Sequence, residues 1–248
     1  MGYAGGSKHG FFIQLKKKVL AIQNDKPKAT KQKKRKPTPK KSSNTISLVL
    51  TKELHERLNA KALKMEFKST KGKYSLYDHI IGLGAQPNSV DDLVIAMSIA
   101  YSWMPTMLDV YASDKKALKK LLPVIRKLGA IKNIEQFEKQ EGSIEEWLVA
   151  LVQAINHSVV GVSKTLHIFF PKTIPIIDSR LLKAWTNIFA GHYKKEPQLK
   201  LPSTVPQNSQ RFVRVYMQYW KLLLYWDKNI GSKDMRKLEK PLYWIGKS

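Results

Sequence analysis

The segment VVGVSKTLHIFFPKTIPIIDSRLLKAW, Val159 to Trp185, sets a glycine, a lysine and an aspartate in order around two helical patterns. Gly161 is free to adopt a positive φ, and Ser163 has the side chain to cap the helix that follows, which places Lys164 in that helix's first turn. The helix KTLHIFF stops before Pro171, and the seven residues Pro171 to Ile177 lead to Asp178-Ser179-Arg180 at the start of another helix. Pro171 and Pro175 keep this connection out of helical geometry. A helix of this length climbs roughly 10 Å and such a loop reaches roughly 23 Å, so the chain is able to return Asp178 towards Lys164.

Working outward, the rest of the chain from residue 46 reads as mostly helical. ISLVL (Ile46 to Leu50) alternates Ile46, Leu48 and Leu50 as a short strand does, and Thr51 stands where it caps a helix through TKELHERLNAKALKM. Ser89 with Asp91 and Asp92 opens a helix through LVIAMSIAYSW that Pro105 ends or kinks. Ser113 opens another, DKKALKKLLPVIRKLG, with basic residues and Gly129 at its end. Ser143 and Glu146 have capping-box spacing at the start of a helix through WLVALVQAINH. SQRFVRVYMQYWKLLLYWDKNIG (Ser209 to Gly231) is a long amphipathic helix, followed by DMRKLEKPLYWIG. Six or more helices with at most one short strand, at 46–50, predict an all-α domain over residues 46–248.

Charge bounds the partner. The chain of 248 residues carries 44 Lys or Arg against 19 Asp or Glu, a net +25. That balance favours a polyanion, nucleic acid ahead of an anionic membrane. Residues 1–45 hold thirteen of the basic residues and one acid, Asp25, and so carry +12. Within them KPKATKQKKRKPTPKK (Lys26 to Lys41) has three prolines and no apolar residue beyond Ala29, a composition expected to stay disordered when free. Lys33, Lys34, Arg35, Lys36, Lys40 and Lys41 are its candidates for phosphate contacts that read no base sequence. A solvated charge run with no specific partner is the plainer alternative.

No cysteine is present, which excludes disulfides, Cys-ligated zinc and iron–sulfur clusters. The six histidines show no ligand spacing, and no metal or other cofactor is expected. Walker, dinucleotide-binding and G-x-S-x-G motifs are all missing, so nucleotide hydrolysis, dinucleotide chemistry and serine esterase chemistry lack a handle. No secretory signal is visible, and the longest apolar run, Leu93 to Leu108, is too short and too interrupted to span a bilayer. The expected location is intracellular, with nucleus and bacterial cytoplasm or nucleoid both open.

Across roughly Ser143 to Trp185 the chain resembles the helix-hairpin-helix DNA glycosylase superfamily, especially its 8-oxoguanine-removing members. Lys164-Thr165 stands where that family has a lysine after the hairpin glycines, and Pro175 with Asp178 stands where it has a proline-led aspartate. The resemblance implies a helix-hairpin-helix fold, hairpin amides around Gly161 and Ser163 holding a DNA phosphate, Lys164 as nucleophile and Asp178 as charge stabiliser. A flipped base then needs aromatic partners, for which Trp103, Trp185 and Tyr101 are available. The chain departs from the family in having Val160 and Val162 where the paired glycines align, and an extra isoleucine in PIID. On the residues alone, Asp178 also serves as an ordinary helix cap, Lys164 as one cation among many and the tryptophans as core. A non-catalytic DNA-binding module and a helical scaffold are therefore open beside the enzyme.

Overall fold

The computed structural model describes residues 49–70, 77–82 and 86–247. All regular structure among them is helical: α1 (Lys52–Thr70), α2 (Tyr77–Gly82), α3 (Val90–Ser102), α4 (Lys115–Lys119), α5 (Leu122–Gly129), α6 (Ile134–Lys139), α7 (Glu141–Ala154), α8 (Val159–Phe169), α9 (Ser179–Phe189), α10 (Ser209–Ile230) and α11 (Met235–Gly246). Two 3-10 turns lie between α9 and α10. Val110 and Ile155 form an isolated antiparallel bridge. The all-α expectation holds for the described residues.

The helix starts follow the orphan amides that each must satisfy. Thr51 Oγ1 accepts from Leu54 N, and Ser89 forms a capping box with Asp92. Asn133, Ser158, Asp178, Asn208 and Asp234 cap α6, α8, α9, α10 and α11. Gly231, at φ 68°, ends α10 in the left-handed conformation that glycine adopts without strain.

Four sequence expectations are corrected. Val49 and Leu50, the only described part of the 46–50 run, form a bend and not a strand: the carbonyls of Leu50 and Thr51 are taken by Asn229 Nδ2 and Trp226 Nε1 of α10. Leu50 is anchored by burial instead. The helix expected from Ser113 is capped by Asp114 and breaks at Lys120-Leu121, because Pro123 fits only the first turn of a new helix. Ser143 lies inside α7, which starts at Glu141, so it forms no capping box. That helix ends at Ala154, short of His157.

Helix α8 is central among the described helices. All its residues except Val160 and Lys164 are buried, which requires neighbours on every side. α3, α7, α5, α10 and α2 supply them. α11 packs against α1 and α9, and Gly246 makes this possible, since a Cβ there would strike the Arg180 carbonyl. α10 runs along α6 and α7, and Lys228–Glu135, Lys221–Glu138, Lys221–Glu141 and Arg214–Glu145 pairs line the edge of that contact. Such exposed pairs are worth roughly 0–1 kcal/mol each, so the apolar seam holds the helices and the charges set their register.

Candidate functional site

The site begins at the turn between α7 and α8. Its left-handed residues are Asn156 (φ 52°) and His157 (φ 50°), not Gly161. Asparagine and histidine are among the side chains that tolerate this region best. Asn156 is also pinned: its Oδ1 accepts from Asp109 N at 2.6 Å, and its Nδ2 donates to Met107 O at 2.8 Å. The His157 ring lies 4.4 Å from that of Tyr111.

Gly161 and Ser163 therefore differ from their expected roles. Ser158 caps α8 by accepting from Gly161 N at 3.1 Å, and Gly161 is helical. Its small size serves packing, because a Cβ would lie 2.6 Å from Tyr101 Cζ. Ser163 sits in the next turn of α8. Its hydroxyl donates to Val160 O at 2.9 Å and accepts from Ile177 N at 3.2 Å. Lys164 is consequently in the second turn, not the first.

The extended residues before Asp178 are held by four buried side chains from three helices. His167 donates to Ile174 O at 2.6 Å and Tyr216 Oη to Pro175 O at 2.8 Å. Glu239 Oε2 accepts from Ile176 N at 2.9 Å, and Ser163 takes Ile177 N. Consecutive peptide groups are thus tied to α8, α10 and α11, where losing one partner leaves a buried polar group costing about 1–3 kcal/mol. The PIID sequence becomes a fixed strut with Asp178 at its end. Both cap amides, Arg180 N and Leu181 N, donate to Asp178 Oδ1 at 3.0 Å. Oδ2 has no hydrogen bond among the described residues.

Electrostatics link Asp178 to Lys164. Burial pushes the Lys164 ammonium below the usual lysine range; the Asp178 carboxylate opposes this shift and the Arg180 guanidinium adds to it. No direct ion pair joins Lys164 and Asp178 among the described residues, and Lys164 Nζ lies 3.5 Å from Trp103 O. The lysine is thus displaced towards its neutral, nucleophilic form, with an anion within electrostatic reach.

Behind the strut lies a network that the sequence did not signal. Because Ile174 O only accepts, His167 Nδ1 carries the proton and Nε2 accepts from Tyr77 Oη at 2.5 Å. Burial, reinforced by Arg236, depresses His167 to about 3, so it is neutral. Burial raises Glu239 to about 7, partly offset by Arg236 at 3.2 Å and by Ile176 N. Arg236 covers the Tyr77 ring at 4.1 Å, and Tyr77 stacks on Trp103 with centroids 6.2 Å apart. These residues are scattered over three helices and the cap of a fourth at irregular spacing, which no single-segment motif captures.

The aromatic candidates separate. Trp103 is half-buried beside Lys164. Trp185 is wholly buried, packs on Phe189 and donates its indole N–H to Leu199 O, so it belongs to the core and is unavailable to a base. Tyr101 is buried against Gly161 and is likewise a packing residue. Lys33, Lys34, Arg35, Lys36, Lys40 and Lys41 lie outside the described residues.

Two surface grooves of about 480 Å³ occur elsewhere, one around Thr51, Arg57 and His192, the other around Arg126, Lys132 and Lys172; neither is lined by Lys164 or Asp178. Among the described residues no cluster of three potential metal ligands occurs, and no helix is long and apolar enough to cross a membrane. No protein-family model, curated protein or solved structure matches this chain.

Proposed function

We propose that residues 46–248 form a helix-hairpin-helix-like DNA-binding domain that excises damaged bases through Lys164. One observation carries this reading: Lys164 is the cation of the central helix that is only partly buried, with its ammonium destabilised by burial and Asp178 in electrostatic range. In this reaction the neutral Lys164 amine attacks C1′ of a deoxyribose and the N-glycosidic bond breaks towards the base, which leaves with the electron pair and takes up a proton. Ring opening converts the C1′–N adduct into a Schiff base, and β-elimination then breaks the 3′ C–O bond. Asp178 stabilises the cationic sugar while its bond to the base breaks, and Trp103, backed by Tyr77, is the half-buried aromatic beside Lys164 for the displaced base. The net +25 supplies the attraction for the phosphate backbone, and DNA as substrate implies a location in a nucleus or nucleoid.

The test is borohydride trapping with duplexes bearing an abasic site or an oxidised purine. A covalent adduct is expected with the native chain and none with Lys164→Ala. Absence of adduct with every lesion, together with an unchanged Lys164→Ala protein, overturns the enzymatic reading. A second reading is a DNA-binding module without catalysis, favoured by the engagement of Asp178 Oδ1 with two cap amides, which accounts for the residue without chemistry. It predicts salt-dependent, saturable DNA binding with no trapped species.

A further inference from the structure

Arg126, Lys132 and Lys172 line one groove of about 480 Å³ together with Phe169 and Phe170, the first two from the end of α5 and the loop after it and the third from the connection after α8. No acid lines this groove, and none of the three cations makes an ion pair among the described residues. The neighbouring acids Glu135, Glu138, Glu141 and Glu145 are instead engaged by Lys228, Lys221 and Arg214 of α10. Charge is thereby segregated, with paired acids along α10 and uncompensated cations around the groove. Arg126 sits in the last turn of α5, where a cation also complements the helix's carbonyl end. Lys132 and Lys172 lie outside helices and have no such role.

The floor is built and not incidental. A Cβ at Gly129 would overlap the Phe170 ring, so glycine is what lets the aromatic side chain slide beneath the α5 terminus. Phe169 ends the helix that carries Lys164, five residues earlier. At 1.5 Å and 3.6 residues per turn, Phe169 stands roughly 8 Å farther along the helix axis than Lys164 and roughly 140° round it, so the groove belongs to a different face of the same helix.

We infer that this groove is an accessory phosphate-binding site for the DNA backbone outside the nucleotide presented to Lys164. The inference rests on the DNA reading above, which places nucleic acid at Lys164. Lysine and arginine rims on a shallow apolar floor suit phosphodiester oxygens, whose contacts position a strand without reading its bases.

The experiment uses the full chain and a fluorescent duplex with one abasic site, with affinity measured over a salt series. Lys132→Glu combined with Lys172→Glu is compared with Lys194→Glu combined with Lys195→Glu, the same charge change at two other exposed lysines. The groove variant should lose at least about tenfold in affinity at low salt, and its log–log salt slope should fall by about 2, the loss expected for two phosphate contacts. The control should lose clearly less, and borohydride trapping at saturating protein should proceed equally in both. Equal losses in the two double variants overturn the groove while leaving the DNA reading intact. A native chain without saturable DNA binding overturns the DNA reading and the groove with it.

Discussion

Replacing Glu239 with alanine should loosen the strut that carries Asp178, and the expected size follows from its contacts. Glu239 is 1% exposed, takes the Ile176 amide at 2.9 Å and pairs with Arg236 at 3.2 Å. Its removal strands a buried N–H, worth about 1–3 kcal/mol, and leaves Arg236 without its carboxylate. Arg236 is 23% exposed on its side chain, so water recovers part of that second loss. A total of about 3–5 kcal/mol is expected for breaking one side of a buried pair. For a folded unit of roughly 200 residues, at roughly 2–4 °C per kcal/mol, the midpoint should fall by roughly 6–20 °C. Thermal unfolding followed by far-ultraviolet circular dichroism measures this. Glu239→Gln keeps an acceptor for Ile176 N and should lose less than half as much. An alanine variant melting within about 2 °C of the native chain would show that Ile176 N is satisfied without Glu239, refuting the strut.

The same network has a pH signature. Glu239, held at about 7 against an ordinary 4.5, contributes stability that is complete below about 4.5 and lost as the pH rises through about 7. His167, held at about 3 against 6.5, contributes in the opposite sense: its part is present above 6.5 and lost as the pH falls towards 3. The two oppose each other between pH 4.5 and 6.5, so the melting temperature of Glu239→Gln should fall more steeply on acidification across that window than that of the native chain; parallel curves would sink the assignment. Gly161→Ala forces a Cβ into the Tyr101 ring and should destabilise by about 1–3 kcal/mol in denaturant titration, an effect absent if glycine served only backbone freedom. Asp178→Asn retains a capping side chain and should melt within about 0.5 kcal/mol of native, whereas Asp178→Ala should lose about 1 kcal/mol. Reduced borohydride trapping by the asparagine variant separates the charge of Asp178 from its capping role; undiminished trapping assigns it to capping alone.

The legible parts of the chain were those governed by short-range chemistry. Thr51, Ser89 and Asp178 cap helices where expected, and Gly231 ends α10, because each satisfies backbone groups within a few residues of itself. The misplaced features had a competing partner elsewhere. Ser163 looked like a cap but spends its hydroxyl on Val160 O and Ile177 N, and Gly161 looked like a turn residue but makes room for Tyr101. Trp185, a candidate for holding a base, is enclosed by Phe189, Tyr219 and Leu199, which come from different turns and helices.

Read alone, the segment from Val159 to Trp185 establishes two helices, a proline-bearing connection and an aspartate at a helix start, since periodicity and capping are local. Packing decides the rest. It buries α8 on all sides while leaving Lys164 partly accessible, and it recruits His167, Tyr216 and Glu239 to hold the residues before Asp178. The physical reason is range: a hydrogen bond to Ile176 from a residue 63 positions away leaves no trace in local pattern, and a lysine's proton affinity depends on what surrounds it after the chain has folded.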